Sequence, residues 1–247
     1  MTRILSLIFF LLLSVSIFAQ SAKKENELIS YGRNKHAVAE VKRLKEGALL
    51  VRLFDKTVQL DFLKKQGKSE SIINKFKDKI TNDHIEIIHA YRDNFSFCPV
   101  YFFHSKQSDI VSEGRLDDVT FVNQFGVEDT SIHVQENFYF TSEISENRII
   151  STNSYRKKYT KEMDELDDDL VLIKSSFEAV VIMDQLFVRL DVPFPYFART
   201  FSKVPFLQRS KSKSIARLNQ KLVFYFKKYE EVEMDLITEE VLIMPKK

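Results

Sequence analysis

The sequence predicts an α/β protein, a mixed sheet with a parallel β-α-β core and helices packed against it. Three observations carry that prediction. "ALLVRLF", residues 48–54, is a near-continuous apolar run of the kind buried on both faces of a sheet. A long helical region comes next. A second apolar run, "NFSFCPVYFFHS" at 94–105, comes after it. A crossover of that length allows the two strands to lie parallel in one sheet.

The N-terminus reads as a secretory signal. "MTR" supplies a basic start, "ILSLIFFLLLSVSIF" an apolar run, and Ala19 a small residue at the cut. The run is about 15 residues, short of the ~20 that a spanning helix needs. Cleavage after Ala19 is expected, with residues 20–34 as a flexible leader and 35–247 as a single globular domain. Removing 19 residues from 247 leaves 228, and Arg3 is the only charged side chain lost, so 36 basic and 35 acidic side chains remain. That balance points to no nucleic acid. No second long apolar segment is present, so no transmembrane segment is expected after cleavage. The expected location is periplasmic or secreted.

The elements come in order along the chain. "KHAVAEVKRLKEG" places Val38, Val41 and Leu44 on one helical stripe, with Gly47 as the stop. "TVQLDFLKKQG" is a short helix closed by Gly67. The helix after it, from Ser69 or Ser71 to Phe95, aligns Ile73, Phe76, Ile80, His84, Ile87 and Tyr91, with lysines opposite. The second core strand covers about 96–104. "DVTFVNQFGVED" reads as a strand, a turn and a return, and "HVQENFYFTSEIS" alternates as another strand. "YRKKYTKEMDELDDDL" is a charged surface helix or loop. "SSFEAVVIMDQLFVRL" reads as a strand, a turn near Asp184–Gln185 and a short strand. "DVPFPYFARTFSKVPF" reads as an aromatic loop pinned by three prolines. "SIARLNQKLVFYFKKYEE" is the last helix, with Ile215, Leu218, Leu222, Tyr225 and Tyr229 facing inward. "EEVLIMPKK" adds a terminal edge strand.

Several chemistries find little support. The single cysteine leaves no internal disulfide and no cysteine-based zinc cluster. The five glycines never fall into a dinucleotide, phosphate-loop or nucleophile-elbow pattern. His84 and His89 are five apart on one helix, whereas helical metal pairs sit three or four apart. The acids of "MDELDDD" lack the alternation and central glycine of a calcium loop. Neither metal nor cofactor is expected.

Four features remain as candidates. Cys98 and His104 share a strand face but lie about 20 Å apart at ~3.3 Å per residue, too far to act as a nucleophile–base pair. His104 and Ser105 fall at the C-terminal end of a parallel strand, the edge where ligands gather in open α/β sheets. Arg209, Lys211 and Lys213 crowd the start of the last helix, interleaved with Ser212 and Ser214. Free N–H groups at that end complete a possible anion site. The aromatic run 193–201 is a possible recognition groove.

Together "GALLVRL", "FCPVYFF", "VVIMDQ", "PFPYFARTF" and "LQRSKSK" resemble a group of uncharacterised exported proteins of Bacteroidota, especially flavobacteria. The signal end "FAQ" fits that group, and the resemblance spans most of residues 35–228. It implies a bacterial envelope location and no activity, so no site residue is carried over. The expected function is that of a non-enzymatic envelope protein binding an unknown envelope partner or an anionic ligand. The alternative is a small hydrolase or transferase with its site at the C-terminal sheet edge near Cys98, His104 and Ser105. A subunit that buries its aromatic loop against another chain is a third possibility.

Overall fold

A computed structural model describes residues 34–151, 173–190, 192–201 and 208–230. The signal segment, the leader up to residue 33, the charged stretch 155–170 and the terminal strand expected near 239–247 lie outside the described residues.

Helix α1 spans 34–46 and buries Ala37, Val41 and Leu44. It ends at Gly47, where the backbone passes close to its surroundings. A Cβ on Gly47 would stand 2.5 Å from the Phe138 carbonyl oxygen and 2.8 Å from that of Arg43. Strand β1, Ala48–Leu53, comes directly after. Then come α2 (Thr57–Lys65), α3 (Glu70–Asn94) and β2 (Val100–His104). After β2 the chain makes a short helix α4 (Ser108–Ser112) and a hairpin of β3 (Phe121–Val122) and β4 (Glu128–Asp129). Strands β5 (Tyr139–Ser151) and β6 (Ile173–Met183) form a long antiparallel pair. β7 (Phe197–Arg199) and α5 (Lys211–Lys228) complete the described chain.

The seven strands form one mixed sheet in the order β4-β3-β2-β1-β5-β6-β7. β1 lies parallel to both β2 and β5, and the outer pairs are antiparallel. The predicted β-α-β core is therefore present, with β1 at its centre. Strands from both sides of the charged stretch share the sheet.

Pleating sorts the side chains between two cores. Leu49, Val51 and Leu53 of β1 join Phe102 of β2 and Val180 and Ile182 of β6 under α1, α3 and α5. Ala48, Leu50, Phe103 and Phe121 face the other way, in a second cluster with Val111 of α4, Val119 before β3 and Tyr139 at the start of β5. Helix α5 puts Ile215, Leu218 and Leu222 inward, as its spacing predicts.

Three expectations need correction. β2 begins at Val100 rather than near 96, because Pro99 has no N–H for the ladder and supplies only its carbonyl, which accepts from Leu49 N at 2.9 Å. The aromatic loop contains a strand: Phe197–Arg199 pairs with β6, and Phe194 is buried against Phe140 with ring centroids 6.5 Å apart. The short strand expected after Gln185 is reduced to one bridge, Met183 with Arg189.

Substituting Gly47→Ala should destabilise the fold by about 2 kcal/mol, since the methyl group meets backbone atoms rather than a movable side chain. A melting temperature equal to wild type would show that β1 and the residues before β5 can separate at no cost.

Candidate functional site

The polar side chains that converge best lie at the C-terminal ends of β1 and β2. Leu53 is paired in register with His104. Asp55 stands two residues beyond Leu53, and period-two alternation returns it to the face of His104. Asp55 Oδ1 lies 2.7 Å from His104 Nδ1. Its other oxygen, Oδ2, accepts from the Ser105 hydroxyl at 3.0 Å and from Lys106 N at 3.2 Å. The Ser105 hydroxyl in turn accepts from Asp55 N at 3.1 Å. Lys56 then takes a left-handed φ of 50°, which turns the chain sharply away from the sheet into α2.

Helix α3 runs antiparallel to β1 across this face and places His84 at the same edge. His84 Nε2 lies 3.0 Å from the Phe54 carbonyl, which can only accept, so this nitrogen carries the proton. The His84 and His104 rings are 5.5 Å apart. An outer ring of charge surrounds them. Lys56 and Lys211 both reach Asp83, at 3.3 and 3.4 Å. Lys211 also meets Glu86 at 2.7 Å, and Lys106 meets Glu128 at 2.5 Å.

Burial alone would push the Asp55 carboxyl up. The His104 contact and charge, with the Lys106 N–H and Ser105 hydroxyl, outweigh it and hold Asp55 below the usual carboxylate range. Burial pushes His84 down, aided by the nearby charge of His104. The Phe54 carbonyl, Asp55 and Asp83 oppose the shift without reversing it.

A second charged pair lies on the opposite face of the same edge. Arg52 of β1 meets Glu143 of β5 in an ion pair, and its guanidinium sits 4.9 Å from the Phe54 ring centroid and 4.5 Å from that of Phe187. One sequence signal points to this pair. Arg52 is the single charged residue within "ALLVRLF", and a charge inside a doubly buried strand requires a partner. Asp55 carries no such signal, because acids after strands are common in turns.

The structure separates Cys98 from His104 and Ser105. Cys98 is buried before the start of β2, at the opposite end from the polar cluster, and burial pushes its thiol up to about 12. This corrects its placement near the C-terminal edge. His104 and Ser105 do sit together there, but the Ser105 hydroxyl is bonded to Asp55 rather than to the imidazole. Among the described residues no group of three or more His, Cys, Asp or Glu is placed to hold a metal.

The basic start of α5 is engaged within the chain. Ser210 is the N-cap and accepts from Lys213 N at 3.2 Å. Lys211 turns to Asp83 and Glu86, so carboxylates of α3 already occupy the anionic role at this helix end. Ser214 is buried and donates to the Ser210 carbonyl at 3.2 Å. Arg209 lies over the Phe201 ring at 4.8 Å. Ser212 is half-buried and Lys213 exposed. Of the five residues of the expected anion site, Lys211, Ser214 and Arg209 thus each have a contact within the chain.

An apolar groove lies between α2 and the first half of α3, and sequence reasoning missed it. Its cavity of about 510 Å³ is lined by Gln59, Phe62, Leu63, Ile72, Lys75, Phe76 and Lys79. No side chain from Thr57 to Lys79 is buried. Val58, Phe62 and Ile72 are 78, 58 and 46% exposed.

Comparison of the chain with protein-family models, with curated proteins and with solved structures finds no match. No helix among the described residues is long and apolar enough to cross a membrane.

His84 gives the site a pH dependence with a definite sign. Its folded pKa lies below the unfolded value of about 6.5, so protonation favours the unfolded chain. The stability it contributes is complete above that value and is lost as pH falls through the folded pKa. Asp55 adds a second loss in the same direction, beginning below about pH 4. His84→Gln can still donate to the Phe54 carbonyl. The variant should lose less stability than wild type between pH 7 and 5 in denaturant titrations, and parallel losses in the two proteins would exclude His84 as the titrating group.

Proposed function

We propose that this protein is an exported, non-enzymatic binding protein of the bacterial envelope, and that its binding surface is the groove between α2 and α3. One observation carries the reading. An apolar cavity of about 510 Å³ lies open on a helix pair that buries none of its side chains from Thr57 to Lys79. Contiguous exposed apolar surface rimmed by charge marks an interaction site. Lys75 and Lys79 line this cavity one turn apart, so a ligand with an apolar body and an anionic group matches it.

The sheet-edge cluster supports a hydrolase or transferase less well. Both Asp55 oxygens are in contact with groups of the chain itself, and the Ser105 hydroxyl donates to that carboxylate rather than to the His104 imidazole. Cys98 is buried with a raised pKa, the reverse of an activated thiol. That arrangement locks the end of β1 to the residues after β2. Export rests on the basic start, apolar run and Ala19 of the first residues.

Two measurements test the proposal. The chain expressed with its own N-terminus should be recovered outside the cytoplasm beginning at Gln20. Recovery only from the cytoplasm, with Met1 or Thr2 first, would remove the exported part. Anilinonaphthalene sulfonate, an anionic aromatic fluorophore, should bind the folded protein and brighten. The double variant Phe62→Ser, Ile72→Ser should lower that signal several-fold with its melting temperature unchanged. An undiminished signal would refute the groove as the binding surface.

A further inference from the structure

The groove belongs to an arm whose charge is unlike that of the rest of the chain. Residues 57–79 hold six lysines against Asp61, Glu70 and Asp78, while the entire 247-residue chain has a formal net charge of only +2. The arm therefore carries more positive charge than the whole protein, and the remainder is slightly acidic.

Among the described residues the arm also packs little against the body. His84 is level with the end of β1 through its contact with Phe54, and Ile80 is the first buried residue of α3. The turns of α3 before it, from Glu70, extend about 15 Å at about 1.5 Å per residue. Helix α2 packs back along them and has no buried residue of its own.

The lining identifies what the arm fits. Ile72, Lys75, Phe76 and Lys79 form one stripe at helical spacing, apolar and cationic by turns. Lys64, Lys65 and Lys68 stand at the far end of the arm. Every cation in the arm is lysine. Lysine is a point charge on a flexible apolar stem, and it meets phosphate without the directional fork that arginine brings to a defined protein partner. Gln59 is the single uncharged polar side chain in the lining. Protruding apolar side chains among diffuse positive charge match a bilayer interface with acidic headgroups. A second copy of the arm would bring like charge against like charge.

We propose that the α2–α3 arm docks on an anionic lipid surface, with Val58, Phe62 and Ile72 entering the acyl boundary and Lys75 and Lys79 meeting headgroup phosphates. This deepens the binding reading above and rests on it. Docking is peripheral: two short exposed helix segments enter the interface and none crosses it.

The test is vesicle co-sedimentation of the full chain. One set of vesicles mixes phosphatidylglycerol with phosphatidylcholine, and the other is phosphatidylcholine alone. Wild type should sediment with the acidic vesicles and stay in solution with the neutral ones, with binding weakened by salt. Phe62→Ser with Ile72→Ser, and separately Lys75→Gln with Lys79→Gln, should each lower binding to acidic vesicles by about tenfold or more. All four positions are exposed or line the open groove, and an unchanged melting temperature confirms folding. The variants carry the same N-terminal segment as wild type, so a difference between them reports the arm. Equal binding to both kinds of vesicle overturns the proposal, as does acidic-vesicle binding that neither double variant reduces. Dye binding at the groove without vesicle binding overturns the lipid surface and leaves the binding reading standing. Loss of both overturns both. Capture of an acidic amphipathic peptide by a chain that ignores vesicles would assign the groove to a protein partner and refute docking on lipid.

Discussion

The fold depends on one constraint, the burial of β1 on both of its faces between two parallel neighbours. Leu49, Leu50, Val51 and Leu53 are fully buried, and β2 and β5 run beside the strand in its own direction. Parallel pairing forbids tight turns, so each neighbour must be reached by a long crossover. In the first crossover α3 from Ile80 onward covers one face, together with α1 and α5. The second, from α4 to the residues before β5, covers the other. Both cores result from that arrangement, since each face of β1 supplies the floor of one.

The same constraint decides where polar groups meet. Strands that run the same way deliver their ends to one edge, so the residues after one strand become neighbours of the residues after the next. Asp55, His104 and Ser105 are brought together in this way although Asp55 and Ser105 are 50 residues apart in the chain. Arg52 and Glu143 meet on the other face as lateral neighbours within the parallel pair, one residue beyond Val51 and Ser142. Each pair joins two strands through charge taken partly out of water. Removing one partner costs far more than the pair contributes, because the remaining charge is left buried. The edge is therefore a clamp on the sheet.

Stability is unevenly distributed along α3. From Ile80 onward the helix sends Ile80, His84, Ile88, Ala90 and Tyr91 into buried positions. Before Ile80, among the described elements, it carries α2. A nine-residue helix is marginal in isolation, so α2 depends on the shallow contact with α3 that forms the groove. Segments of this kind open at low free energy. A surface that covers the groove would order α2 as it binds, which is the thermodynamic sense in which the arm suits recognition better than structural support.

Much of the architecture was legible in the sequence because it is written in local periodicity. The apolar run of β1, the stripe of α5 and the β3–β4 hairpin needed only spacing and turn residues. β7 was not legible: its three residues sit among prolines, and only pairing with β6 makes them a strand. Of the site, His104 and Ser105 could be placed at the sheet edge from strand direction alone. Asp55 could not, since its role comes from the Leu53–His104 register. The α2–α3 groove was equally hidden. The apolar residues of these helices have the spacing of a core-facing stripe, and the sequence does not record whether a core lies opposite. Local patterning thus determined that the helices and strands exist and which faces are apolar. The tertiary structure decided which of those faces are covered, because covering depends on distant segments that only the fold brings near.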